Sequence, residues 1–181
     1  ENLGRLDTTT AFPTVDPATQ LFSYGARSFS IFDAAGNLVY DSGDDFEQIT
    51  AAALPDQFNF SNDDHDPDEF ESRSDAKGPE PEAVEIAEVY SKTYAFIGLE
   101  RIGGIMVYDI TTPNNPKFVQ YVNNRDFTAA ADSSAAGDLG PEGLRFIAPE
   151  DSPNGEPLLV VANEVSGTTT IFQIDGPGRS R

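Results

Sequence analysis

"GPEPEAVEIAEVYSKTYAFIGLE" occupies Gly78–Glu100 and "LGPEGLRFIAPEDSPNGEPLLVVANE" occupies Leu139–Glu164. Each copy opens on Gly-Pro-Glu, runs into a short apolar stretch, breaks at a polar turn and resumes as a second apolar stretch that ends on Glu. The match extends further: "PEAVEIAEVYSKTYAFIGLERIGGIMVYDI" aligns strand for strand with "PEGLRFIAPEDSPNGEPLLVVANEVSGTTTIFQI". Self-similarity of this kind marks a repeated supersecondary unit that buries its faces against its neighbours. "YGARSFSIFDAAGNLVYDSG", Tyr24–Gly43, matches only the second half of the unit, "RIGGIMVYDITTPNNPKFVQYV", so the first copy starts at its third strand.

Strand signals dominate. The apolar stretches are short, rich in Val, Ile, Phe and Tyr, and closed by Gly, Asn, Asp or Pro. Strands are expected near 28–33, 37–41, 84–89, 93–99, 104–110, 117–122, 143–148, 157–163 and 168–174. The first two form a hairpin across Ala35-Gly36-Asn37. "RIGGI" and "EVSGT" fall between second and third strands and read as turns, not phosphate loops. Helix composition is confined to "DDFEQITAAAL", Asp44–Leu54, where Asp44 or Asp45 caps one or two turns.

Repeated units of four short antiparallel strands are the sequence form of propeller blades. The expected fold is therefore all-β: four-stranded β-propeller blades, a partial set of about two and a half from a longer propeller, since even a four-bladed ring takes about sixteen strands. Residues 1–20 read as an N-terminal extension or closing strand, 21–175 as the partial propeller with an acidic insertion at 46–75, and 176–181 as a tail. Segments 46–75 and 125–138 interrupt the pattern as polar surface loops. Alternation assigns Phe29, Ile31, Val84, Ile86, Phe96, Val107, Val119, Leu144, Phe146, Leu159, Val161 and Ile171 to the core.

At "SFSIFDAAGNLVYDSG", "GPEPEAVEIAEVYSKTYAFIGLERIGGIMVYDI", "YVNNRDF" and "GDLGPEGLRFIAPEDSPNGEPLLVVANEVSGTTTIFQI" the chain resembles the propeller domain of choice-of-anchor I family proteins. Many bacterial members are called alkaline phosphatases, and animal relatives are similar to the mesenchyme-specific cell surface glycoprotein. The resemblance implies a secreted or surface-tethered propeller, in some members joined to a phosphoesterase or nuclease domain and followed by an anchoring tail. The family propeller is longer than this chain, which implies partners in the remainder of the propeller or in a neighbouring chain.

Composition narrows the chemistry. Of 181 residues, 31 are Asp or Glu and 11 are Lys or Arg, a formal charge of -20. Such a field repels nucleic-acid phosphates and anionic membranes and attracts cations. There is no cysteine and one histidine, which excludes thiolate zinc sites and disulfides and favours hard oxygen ligands, hence Ca²⁺ over softer metals. No apolar run is long enough to span a bilayer. Acidity without cysteine, together with the resemblance, points to an extracellular, secreted or cell-surface home.

Carboxylates gather at the repeat starts (Glu80, Glu82, Glu142), at the ends of the second strands (Glu100, Glu164) and in "DDHDPDEFESRSD". Glu82 and Glu142 precede equivalent inner strands and belong at equivalent heights near a central channel. Candidate metal ligands are Glu82, Glu100, Glu142 and Glu164, with Asp63, Asp64 and Asp66 in the acidic stretch, which lacks the glycine and terminal glutamate of an EF-hand. Arg101, Arg125 and Lys77 are candidate phosphate-binding cations. His65 reads as an exposed loop residue kept protonated by its acidic neighbours; no G-x-S-x-G elbow accompanies it. Two functions remain open: a calcium-binding scaffold associated with extracellular phosphate metabolism, with a protein or phosphate-ester ligand, and a metal-dependent phosphoesterase of alkaline phosphatase type.

Overall fold

The computed structural model describes residues 5–9, 11, 20–25, 27–62 and 69–176. Within them the chain is all-β apart from short helices. β1 (Ser30–Phe32) and β2 (Leu38–Asp41) form a two-stranded antiparallel sheet. Their turn is set by Asp33, whose Oδ1 accepts the N–H groups of Ala35 and Asn37 at 2.9 and 2.8 Å. β3 (Pro81–Val89), β4 (Lys92–Leu99), β5 (Ile105–Asp109) and β6 (Lys117–Val122) form a four-stranded antiparallel sheet in sequence order. β7 (Pro141–Ile147), β8 (Leu158–Asn163) and β9 (Thr168–Gln173) form a three-stranded one. All nine expected strands are present.

The internal repeat holds at the level of single hydrogen bonds. β3 and β4 slip register between Pro81 and Ala83, and β7 and β8 slip between Pro141 and Gly143. Glu100 N–H donates to Glu80 O at 2.8 Å, and Glu164 N–H donates to Gly140 O at the same 2.8 Å. Glu80 and Gly140 therefore correspond, as do Glu82 and Glu142. The β4–β5 turn places Gly104 at φ 84, where an added Cβ would lie 2.5 Å from Val122 O, so only glycine fits.

The four-stranded sheet carries a buried cluster on each face. On one, Ala87, Val89, Phe96, Ile105 and Val107 meet Leu159 and Val161 of the three-stranded sheet, with Leu144, Phe146 and Phe172 at the margin. On the other, Ala95, Ile97, Leu99, Ile102, Met106 and Tyr108 pack on Phe46 and Phe29. Phe46 comes from α1 (Asp45–Ala53), a nine-residue helix, longer than the expected one or two turns. Asp44 holds its N-cap position without a side-chain cap bond. Asp45 instead accepts the hydroxyls of Tyr40 and Tyr108 at 3.4 and 3.3 Å, so tertiary contacts extend this helix beyond what its propensity supports.

Segment 46–75 is not the solvated loop expected. Phe46, Thr50, Asn59, Ser61, Asn62 and Glu69 are all buried, and its described flanks reach the start of β3. Part of the expected core is also corrected: Phe96, Val107, Leu159 and Val161 are buried, and Phe29, Ile31, Leu144 and Phe146 are half-buried, but Val84 (62%), Ile86 (60%), Val119 and Ile171 are exposed. Val84 and Ile86 pair with Ile97 and Ala95 and share their face. The alternation was therefore in phase, but on this face Phe29 and Phe46 pack against the cluster built from β4 and β5, and Val84 and Ile86 of β3 are left exposed.

Candidate carboxylate site

The site begins with a backbone outlier. Glu80 sits just before β3 at φ 55, in the left-handed region that disfavours side chains, while its counterpart Gly140 holds φ 72. A non-glycine residue here costs of order 1 kcal/mol, and the surroundings explain why it is tolerated. Glu80 is 3% exposed and ion-paired to Arg73, to Lys77 at 2.5 Å and to Arg101 Nε at 3.6 Å. The three cations come from the 71–79 turn and from the end of β4. Their junction is pinned by Asn62, which donates to Glu100 O at 2.7 Å and accepts from Arg101 at 3.1 Å.

Glu82 and Glu100 complete a cluster with Glu80: one carboxylate oxygen of each lies within 4.8 Å of the other two. Burial opposes charge on Glu80, yet hydrogen bonds from Lys77, Arg73 and Glu100 hold its carboxyl below the usual range. Glu100 goes the other way. Burial, then hydrogen bonds to Glu82 and Glu80, push its carboxyl up to about 8, against the pull of Arg101. Near neutral pH the cluster therefore keeps a proton on Glu100, because three charges at this spacing would repel.

The second copy repeats half of this arrangement in the open. Glu142 is exposed, and its carboxyl is raised chiefly by a hydrogen bond to Glu164, with the Glu164 charge, burial and the Glu82 charge adding to it. Glu82, Glu100, Glu142 and Glu164 thus come together along one rim, as the repeat implied. Asp138 stands beside it: burial opposes its charge, but hydrogen bonds from Thr168, Thr170 and Asn124 outweigh this and lower its carboxyl.

The candidate phosphate-binding cations have protein partners. Lys77 pairs with Glu80, and Arg101 with Glu100 at 3.2 Å. Arg125 donates to Arg101 O and Ser61 O at 3.1 and 2.7 Å, with its guanidinium 4.4 Å from the Phe127 ring centroid and 5.7 Å from that of Phe60. Burial brings its pKa down to about 10. Asp63, Asp64, Asp66 and His65 lie outside the described residues.

Ca²⁺ takes oxygen ligands at about 2.3–2.6 Å, so oxygens on one ion are at most about 5 Å apart. The Glu80–Glu82–Glu100 triad fits that limit, with Glu80 already shared with three cations. Sequence reasoning placed Glu82, Glu100, Glu142 and Glu164 in this rim but not the ion-paired role of Glu80 or the part played by Asn62. A glutamate standing where the other copy has glycine is the signal that could have pointed to the first. Asn62, brought in by a non-repeated insertion, left none.

The choice-of-anchor I domain model matches residues 1–113. Gigasin-3a of Magallana gigas is 30% identical over 185 residues, covering 96% of this chain and 65% of Gigasin-3a. The chain therefore spans just under two thirds of that relative's length. No solved structure matches the chain.

Proposed function

The chain belongs to the choice-of-anchor I family, and from that premise we propose that its sheets are propeller blades forming a secreted or cell-surface binding module whose rim of glutamates holds Ca²⁺, with a role in extracellular phosphate metabolism. Family membership fits an extracellular or surface protein, and no described helix is long and apolar enough to cross a membrane. The observation that carries the cation reading is the Glu80–Glu82–Glu100 cluster, in which oxygens within 4.8 Å of one another keep a proton on Glu100. A divalent cation would replace that proton and relieve the repulsion. Glu82 and Glu100 would be its ligands, with Glu142 and Glu164 on the adjoining rim.

The partners of Lys77 and Arg125 favour a binding module over a phosphoesterase, since a phosphate ester would have to displace Glu80 or two backbone carbonyls. Calorimetric titration of the intact protein with Ca²⁺ tests the reading. Heat beyond EDTA-treated dilution controls is expected, growing as pH rises through about 8 and lost in Glu82→Gln. A flat titration removes the cation. EDTA-sensitive turnover of p-nitrophenyl phosphate, abolished by Glu82→Gln, would restore the phosphoesterase.

A further inference from the structure

The hairpin turns of the two repeats differ. The first copy turns β3 into β4 through Tyr90 and Ser91 alone, whereas the second links β7 to β8 through residues 148–157, "APEDSPNGEP". Among the asparagines of the sequence, only Asn154 is followed by glycine. That dipeptide has a chemistry of its own. The backbone nitrogen of the residue after an asparagine can attack the side-chain carboxamide carbon, and glycine, having no side chain, leaves that nitrogen accessible.

Pro153 and Asn154 are the central residues of a β-turn closed by the Gly155 N–H, which donates to Ser152 O at 3.2 Å. Asn154 and Gly155 are exposed. A Cβ built on Gly155, at φ 72, would meet nothing within 4 Å, so solvent reaches the peptide bond between them. The Asn154 side chain is nevertheless held. Its Oδ1 accepts the Ser152 hydroxyl at 2.6 Å and the Glu156 N–H at 3.1 Å, which keeps the carboxamide alongside the Gly155 backbone. Its Nδ2 donates to Gln173 Oε1 of β9 at 3.4 Å. Negative charge develops on Oδ1 when the carboxamide carbon is attacked, and donors already in place stabilise it without rearrangement. One contact opposes the reaction, the bond from Gly155 N–H to Ser152 O. At 3.2 Å it is at the long end of the N–H···O range, and it lies in an exposed turn, where such bonds open at little cost.

We propose that Asn154 is a self-modification site, converting to aspartate and isoaspartate in the folded protein, with the Ser152 hydroxyl promoting the step. A solvent base takes the Gly155 amide proton and the nitrogen bonds to Asn154 Cγ. The Cγ–Nδ2 bond then breaks as the leaving nitrogen is protonated, releasing ammonia and leaving a cyclic imide. Water opens the ring at either carbonyl: cleavage at Cγ gives aspartate, and cleavage at the backbone carbonyl gives isoaspartate. Nothing is oxidised or reduced. Either product adds one negative charge to a turn that already holds Glu150, Asp151 and Glu156, and removes the donor to Gln173. The cation reading can fail without touching this inference, since no rim carboxylate lies in the turn.

The test incubates the intact 181-residue chain in mildly alkaline buffer, folded and in unfolding urea, and follows each asparagine by digestion and tandem mass spectrometry. Isoaspartate is counted by methyl transfer from an isoaspartyl methyltransferase. In the folded chain Asn154 is expected to convert ahead of every other asparagine. Ser152→Ala should slow that conversion by roughly threefold or more, the loss of one hydrogen bond to the developing charge, and Ser152→Thr, which keeps the hydroxyl, should restore it. In urea the parent and Ser152→Ala should convert at the same rate, because the hydroxyl is no longer held against Oδ1. An Asn154 that stays intact in the folded chain while converting in urea overturns the proposal. So does a folded Ser152→Ala variant that converts as fast as the parent, or one slowed equally in urea.

Discussion

Glu80 and Glu100 show how one buried cluster sorts its protons. Both are almost fully buried, but three cations outweigh burial at Glu80, whereas at Glu100 burial and two carboxylates outweigh Arg101, so their carboxyls shift in opposite directions. The consequence for stability follows from linkage. Between the ordinary value of 4.5 and about 8, folded Glu100 keeps a proton that the unfolded chain has released, so its contribution falls as pH rises through that window and is fully lost above about 8. Carboxyls held low, such as Asp109 at about 2 beside Lys92, act oppositely and at much lower pH. Glu100→Gln stays neutral throughout. In EDTA, its melting temperature should gain on the parent's as pH is raised from mildly acidic to about 8, and then hold that gain. Parallel melting curves would show that Glu100 is ionised in the folded protein.

At the scale of elements, strand identity and strand burial separate. Phe96 of β4 is 4% exposed between two sheets, and truncation to Ala should cost about 3–5 kcal/mol. Val84→Ala on β3 should stay within about 0.5 kcal/mol, because that side chain already faces solvent. Urea unfolding of both variants checks the pair, and similar losses would mean that something covers β3. Strand positions were legible in the sequence because apolar runs and turn residues are local, and the repeat supplied a second reading of each. Which face is covered depends on how many strands the neighbouring sheet contributes, a long-range fact that no alternation encodes. The same holds for α1, whose length depends on Tyr40, Tyr108 and the packing of Phe46. The rim glutamates were legible because they recur, whereas Asn62 and Arg73 come from an insertion that occurs once.

For the molecule as a whole, what decides whether the sheets behave as one body is how closely they approach at the start of their inner strands. The approach is close at Gly98 of β4, where an added Cβ would lie 2.9 Å from Pro141 O of β7 and 3.2 Å from the Ala83 Cβ of β3. Pro141 is backbone at a register slip, so it cannot yield as the tip of a flexible side chain would. Ala83 is fixed within the same sheet as Gly98. A methyl at Gly98 must therefore drive the two sheets apart, and overpacking of this kind costs about 1–3 kcal/mol. Because Phe96, Val107, Leu159 and Val161 form one core across the boundary, the strain should be felt by both sheets together. Gly98→Ala is expected to lower the urea midpoint in a single cooperative transition, with hydrogen exchange accelerated in β3, β4 and β7 alike. Acceleration limited to β7–β9, or a second unfolding step, would show that the three-stranded sheet folds apart from the four-stranded one.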